Sequence, residues 1–470
     1  MEVLEPDLCV VGAGAAGLSV AAIAASFGVP AVLIERGRMG GECLNAGCVP
    51  SKALIAAAAH AHAAREAARF GVACEPRVDF ARVMDHVRGV IEAIAPNDSA
   101  ERYAAMGVRV IRAPARFVDR RTVEAGGMRI APRRFVLAVG SRPAAPPIDG
   151  LAAVPYLTNE TVFDLSELPR RLIVLGAGPV GVELAQAFRR LGSEVVVVEA
   201  GRLLGREDPE IAAVVERALL REGIELRTGA TVERAEGRDG GVALRLADGD
   251  TVVGSHLLVA AGRRFDPGDL GLEAAGIAAD ERGIRVDKGL RTTNRRVYAV
   301  GDCAAGPPRL THAANHAAGL VIRSALFRLP VRFDPAAIPR VTYTDPEVAA
   351  IGLTEEEARA QKKRFRILRW PVAENDRAQA ERRTAGHVKV LVTGRGAVLG
   401  CSIAAPQAGE LIVPWILALA KGLRVDDLAG LVFPYPTFSE VTKRAAVEHL
   451  RPQARRPLVR RFLGAARWFG

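Results

Sequence analysis

The chain alternates long uncharged runs with short polar punctuation, and the first run sets the pattern. From Leu8 to Ile34 no residue carries charge, a span long enough to resemble a membrane helix. Gly12, Gly14, Gly17, Gly28 and Pro30 interrupt it, and the flank "MEVLEPD" is acidic where a secretory leader would be basic. A strand, a glycine turn, a small-residue helix and a second strand account for the run better. The same order returns later. "CVVGAGAAGLSVAAIAASFGVPAVLIE" (9–35) matches "IVLGAGPVGVELAQAFRRLGSEVVVVE" (173–199) at a constant offset of 164. Gly12, Gly14 and Gly17 fall on Gly176, Gly178 and Gly181, and Glu35 falls on Glu199.

That order has a physical purpose. The first glycine permits a tight turn, the second lets backbone approach a pyrophosphate, and the third lets helix and strand pack closely. The acid ending the second strand is placed for the adenosine ribose hydroxyls. One such fingerprint is weak evidence, whereas two copies with aligned acids predict two dinucleotide sites. The simplest pair is a flavin and a nicotinamide. Glu199 favours NADH, because a carboxylate repels a 2′-phosphate, while Arg202 and Arg206 nearby leave NADPH open.

Composition narrows the classes. Of 470 residues, 49% are apolar and 25% charged, which predicts a globular chain of about three domains. Aromatics at 5% argue against a stacking platform for single-stranded nucleic acid. Six of the eleven net positive charges lie in the last twenty residues, so the basic character is local and nucleic acid is not expected as a partner.

The six cysteines are too few for a disulfide scaffold, and only Cys43 and Cys48 are close in sequence. They sit in "GGECLNAGCVPSK" (40–52), and the following residues predict a helix with Pro50 near its first position. Cys48 then lies at or just before a helix N-terminus, where the dipole favours thiolate. Cys43 is within reach across a short irregular loop. A disulfide closing so small a loop can be opened and remade. The alternative of two buried, inert cysteines fits this glycine-rich setting poorly. The pair reads as a redox centre in a reducing, cytoplasmic setting.

"GGECLNAGCVPSK" resembles the redox-active motif of the pyridine nucleotide–disulfide oxidoreductases, which include dihydrolipoamide dehydrogenase, glutathione reductase and mercuric reductase. "RRFVLAVGSRP" (133–143, with Gly140) and "VAAGRRFDPG" (259–268, with Gly262) resemble two further glycine motifs of that family. "VYAVGDCA" (297–304) resembles its second flavin motif, and "PRVTYTDPEVAAIGLTEEEA" (339–358) the opening of its dimer-forming domain.

The resemblance implies an α/β fold with two Rossmann-like domains, for FAD and NAD(P), and a C-terminal α+β dimerisation domain. Expected boundaries are 1–150 for the first FAD segment, 151–265 for NAD(P), 266–335 for the central FAD segment, 336–450 for dimerisation and 451–470 for a basic tail. Electrons would pass from NADH to FAD, to a Cys43–Cys48 disulfide, and on to a small acceptor. By resemblance Cys48 faces the flavin and Cys43 exchanges with substrate. Lys52 lies near the flavin and pairs with Glu183, Asp302 meets the ribityl chain, and Thr311 caps a helix aimed at the flavin. The assembly implied is a homodimer with a shared active site.

One departure matters. Many family members carry His-Pro-Thr-x-x-Glu near the C-terminus, and here the stretch reads "FPYPTFSE", with Tyr435 for the histidine and Glu440 retained. A phenol, with an ordinary pKa of about 10, is a poor proton shuttle near neutrality. This weakens the dihydrolipoamide dehydrogenase reading and resembles the mercuric reductase branch. The chain nevertheless lacks that branch's C-terminal cysteine pair and any N-terminal metal-binding cysteine module. The acceptor is left open among disulfides, metal ions and quinones, with dihydrolipoamide dehydrogenase proper, or a flavin-binding redox sensor that docks through its tail, as alternatives.

Other candidates carry less. His312 and His316 have metal-compatible helical spacing but no third ligand, and His60 and His62 read as surface or packing residues, so no metal site is expected. In "PLVRRFLGAARWFG", Leu458, Val459, Phe462, Leu463, Ala466 and Phe469 share one helical face, with Arg460, Arg461 and Arg467 opposite. Such a helix suits an anionic membrane, an acidic partner or a subunit interface.

Overall fold

The computed structural model describes residues 2–238, 240–454 and 457–468. The chain forms two units. One comprises Met1–Gly176, Ala187–Val198 and Thr231–Pro335, the other Ala177–Gln186, Glu199–Ala230 and Ala336–Gly470.

In the first unit the uncharged N-terminal run resolves as the strand Leu8–Val11, the helix Ala15–Ser26 and the strand Ala31–Glu35. These strands join Arg109–Arg112, Arg134–Leu137 and Val297–Ala299 in a five-stranded parallel sheet, with Leu8–Val11 at its centre. Covered on both faces, such a sheet needs continuous apolar strands, which is why the run carries no charge. Cys9, Val11, Val32, Ile34, Phe135 and Leu137 share one core with Phe117, Val123 and Ile130 of a small sheet alongside. A second parallel set, Arg171–Leu175 between Glu194–Glu199 and His256–Val259, repeats the arrangement.

The second unit is built on an antiparallel sheet in the order Arg340–Thr342, Glu347–Gly352, Val398–Ala405, His387–Val392, Arg366–Pro371. Its apolar face packs against the helices Val413–Lys421 and Glu440–Val447 around the fully buried Trp415. Under the other part of the sheet, Lys389 is 1% exposed and meets Asp208, Glu210 and Glu355 at 2.8, 2.8 and 2.7 Å. No helix among the described residues is long and apolar enough to cross a membrane.

Candidate functional site: a thiol pair beside the first glycine fingerprint

The two fingerprints are alike down to individual bonds. Gly12 N–H donates to Ile34 O and Gly176 N–H to Val198 O, both at 2.8 Å. The Glu35 carboxylate accepts from Ala13 N at 2.6 Å and Gly37 N at 2.7 Å; Glu199 accepts from Ala177 N and Gly201 N, both at 2.8 Å. Both first glycines have positive φ, +103° and +109°. A Cβ at Gly12 would overlap Ala138 O, and one at Gly176 would overlap Ala260 O, so only glycine lets each turn pass its neighbouring strand end. Those strand ends lead to Gly140 and Gly262, each at positive φ, where a Cβ would meet nothing within 4 Å. Open backbone here is what a dinucleotide needs for close approach.

Arg202 is engaged by its own surroundings. Its guanidinium donates to Gly205 O at 2.9 Å and to Glu356 Oε2 at 3.0 Å. Arg206 is exposed.

The thiol pair lies against the first fingerprint. Gly40 N–H donates to Ala13 O at 3.0 Å, and the Gly41 backbone packs so closely on Gly14 that a Cβ would sit 2.6 Å from its Cα. Cys43 lies on a short helix, Gly41–Asn45, rather than in the irregular loop expected. Asn45 steadies it by donating to Met39 O and Gly41 O at 2.9 and 2.7 Å. Cys48 is the first residue of the helix Cys48–Glu66, with Gly47 at its N-cap. A Cβ on Gly47 would sit a tight 3.1 Å from Glu42 O, so the second helix starts closely packed on the first beside Cys43. Pro50 occupies the first turn, where its missing N–H leaves no bond unmade.

Both cysteines are free thiols, Cys43 partly buried and Cys48 exposed. The Cys43 thiol is pushed well above its ordinary value, first by its hydrogen bond to Cys48 and then by burial. Cys48, as the first residue of its helix, lies where the helix dipole favours negative charge. Thr311 is the first residue of the helix Thr311–Phe327, whose N-cap is Leu310 with no side-chain cap. The capping role expected of Thr311 is thus corrected: its hydroxyl lies 3.4 Å from Cys48 Sγ instead. One turn beyond Cys48, Lys52 Nζ lies 3.3 Å from Ser51 Oγ. Cys9 and Cys401 are fully buried, with thiols raised by burial, and Cys303 is pushed up to about 11 for the same reason.

Sequence reasoning assigned no role to three neighbours. Glu42, beside Cys43, forms a two-pronged ion pair with Arg263, Nη1 to Oε1 at 2.5 Å and Nη2 to Oε2. Arg263 Nε donates to Ser141 Oγ at 2.7 Å and lies 3.3 Å from Asp302 Oδ2, and Ser141 Oγ donates to that same oxygen at 2.7 Å. Burial raises the Glu42 carboxyl, and Arg263 opposes the rise. All three residues stand inside stretches already singled out for their glycines and cysteines, so their position was the available signal.

In the second unit Glu183 is 5% exposed and accepts from Tyr343 N at 2.8 Å. Tyr435 is 69% exposed and donates its hydroxyl to Asp376 Oδ2 at 2.8 Å. Glu440 begins the helix Glu440–Val447. His312 and His316 are both exposed on their helix, and the described residues contain no group of three His, Cys, Asp or Glu side chains able to hold a metal.

Comparison with known proteins settles the class. Residues 6–318 match the family described as pyridine nucleotide-disulphide oxidoreductase, and 338–446 match its dimerisation domain. The chain belongs to this family. It is 40% identical over 456 residues to a mercuric reductase of Streptomyces lividans, covering 94% of this chain and 95% of that one. It is 37% identical over 471 residues to a dihydrolipoyl dehydrogenase of Thermus scotoductus, covering 95% and 98%. A Cu(II) complex of the HOCl-induced flavoprotein disulfide reductase RclA from Escherichia coli superposes with a TM-score of 0.85 at 27% identity, covering 94% and 99%. LpdA from Mycobacterium tuberculosis gives 0.86 at 27%, covering 95% and 99%. The protein is an FAD-dependent enzyme that uses NAD(P)H, of the same α/β class as its relatives, and it carries a dimerisation domain. The open glycines at 140 and 262 leave backbone that suits the close approach of such dinucleotides.

Proposed function

We propose that the enzyme oxidises NADH and reduces a small thiophilic acceptor through a Cys43–Cys48 dithiol, with a soft metal ion ahead of lipoamide. The observation that carries this reading is the pair itself: two thiols hydrogen-bonded to each other at the start of a helix, against a dinucleotide fingerprint. Bound FAD, held at Gly12, Gly14, Gly17, Glu35, Gly140 and Asp302, supplies hydride acceptance from the nicotinamide and two-electron release. NADH is held at Gly176, Gly178, Gly181, Glu199 and Gly262, and the engagement of Arg202 within its own unit supports NADH over NADPH.

The protein's own part is to open and reclose one S–S bond. Two electrons and a proton convert the disulfide to a thiolate on Cys48 and a thiol on Cys43, with Thr311 beside the Cys48 sulfur. Lys52, one turn beyond Cys48, offsets negative charge beside the helix start. Cys43 meets the acceptor, loses its proton as the acceptor bonds to sulfur, and the disulfide reforms as the acceptor is reduced. Two thiolates suit a soft cation such as the mercuric ion named in the Streptomyces relative. Two copies assemble so that Tyr435 and Glu440 of one line the approach to the thiol pair of the other. A thiol couple in continual turnover fits the reducing cytoplasm.

The test is NADH oxidation by the purified yellow protein with mercuric ion, cupric ion, lipoamide, glutathione disulfide and a quinone in parallel. A Cys48→Ala variant that still reduces the preferred acceptor at full rate would falsify the dithiol route. Lipoamide turnover matching the best metal rate sinks the ranking of acceptors while leaving the dithiol intact.

A further inference from the structure

The last helix presents an apolar face that no other described side chain covers. On Pro457–Ala466, Leu458, Phe462 and Leu463 are 76%, 73% and 54% exposed, and Trp468 just beyond the helix is 86% exposed. At 3.6 residues per turn Leu458, Phe462, Ala466, Val459 and Leu463 span an arc of about 140°. Arg460 and Arg461 lie opposite that arc, and Arg467 borders it. Phe469, expected on the same face, lies outside the described residues.

We propose that this helix seats the enzyme on an anionic lipid bilayer, lying in the plane of the surface. Charge decides the occupant. No acidic residue follows Glu448, while the chain as a whole carries +11, so a second copy meets the helix with like charge. The root of the tail adds an independent observation. Arg451 stacks 5.6 Å over the Trp370 ring on the strand Arg366–Pro371, and the turn leading into that strand carries Lys362, Lys363 and Arg364 around an open groove. Basic side chains therefore stand both at the root of the tail and on the helix beside its apolar strip, as a headgroup layer requires. A ten-residue helix, about 15 Å long, cannot span a hydrocarbon core of about 30 Å. It can sink one face while the arginine stems reach back to the phosphates.

The test uses the full-length holoenzyme and vesicles of phosphatidylcholine alone or mixed with phosphatidylglycerol. The wild type co-sediments with the mixed vesicles only, is released at about 1 M salt, where the screening length is about 3 Å, and shows a blue-shifted tryptophan emission. Arg460→Gln and Arg461→Gln each lower partitioning about fivefold. Leu458→Glu with Phe462→Glu abolishes partitioning and leaves NADH oxidation in free solution unchanged. Equal binding to both vesicle types, or to neither, overturns the proposal. So does a double variant whose particle mass falls in sedimentation velocity, which would place the face between copies. Capture of the tail by an acidic polypeptide without vesicle binding overturns it as well.

Discussion

The Tyr435 hydroxyl donates to Asp376 Oδ2 at 2.8 Å, and that bond, more than any other neighbour, raises the phenol above its ordinary value. The position where the family resemblance implies an imidazole is therefore occupied by a group that neither gains nor loses a proton near neutrality. Tyr435→Phe is expected to leave turnover with small disulfides unchanged within about twofold, whereas Tyr435→His raises lipoamide turnover by on the order of tenfold or more. NADH oxidation with lipoamide at neutral pH measures both.

Thr311 shares a hydrogen bond with Cys48 from the start of its own helix. Thr311→Val removes that bond and keeps the shape, so alkylation of the reduced enzyme at Cys48 should slow by about threefold to tenfold. Thr311→Ser should restore it. Peptide mapping after a timed iodoacetamide pulse distinguishes Cys48 from Cys43.

Nucleotide preference should follow Glu199. With Arg202 held by Gly205 and Glu356, kcat/KM for NADH is expected to exceed that for NADPH by about tenfold, or 1.4 kcal/mol. Glu199→Ala narrows the ratio and also raises the KM for NADH, because it frees the Ala177 and Gly201 amides. Steady-state kinetics with each nucleotide checks both effects.

The buried Lys389 makes the C-terminal unit acid-sensitive. Hydrogen bonding to Arg369, then to Lys389, holds Glu210 at about 2 against an ordinary 4.5, and Lys389 is the main cause of a lowered Glu355. A depressed carboxyl adds stability above its unfolded value. That stability is lost as pH falls from about 4.5 toward about 2. Urea unfolding should show this loss in the wild type. Lys389→Met is expected to destabilise by ~3 kcal/mol at neutral pH, because three carboxylates lose their buried cation, and to show a shallower acid dependence.

What could be read from the sequence follows from where each constraint acts. Gly12 and Gly176 announce themselves because any side chain would strike a strand end, so the fingerprint is local and periodic. Cys43's five-residue helix is too short to show a period, so the sequence pattern there reads as loop. Glu42, Ser141, Arg263 and Asp302 meet only through the fold, Glu42 and Arg263 being 221 positions apart. Lys389 alternates with apolar neighbours as a solvent-facing strand residue would; only the surrounding carboxylates reveal it as interior.

Glu35 and Glu199, each clamped by a pair of backbone amides, act as rivets as well as the proposed recognition groups. A carboxylate so fastened cannot swing away to admit a bulkier nucleotide. Engineering a swap of coenzyme preference therefore has to work through the loop after each strand, since pulling either rivet slackens the pocket it was meant to reshape.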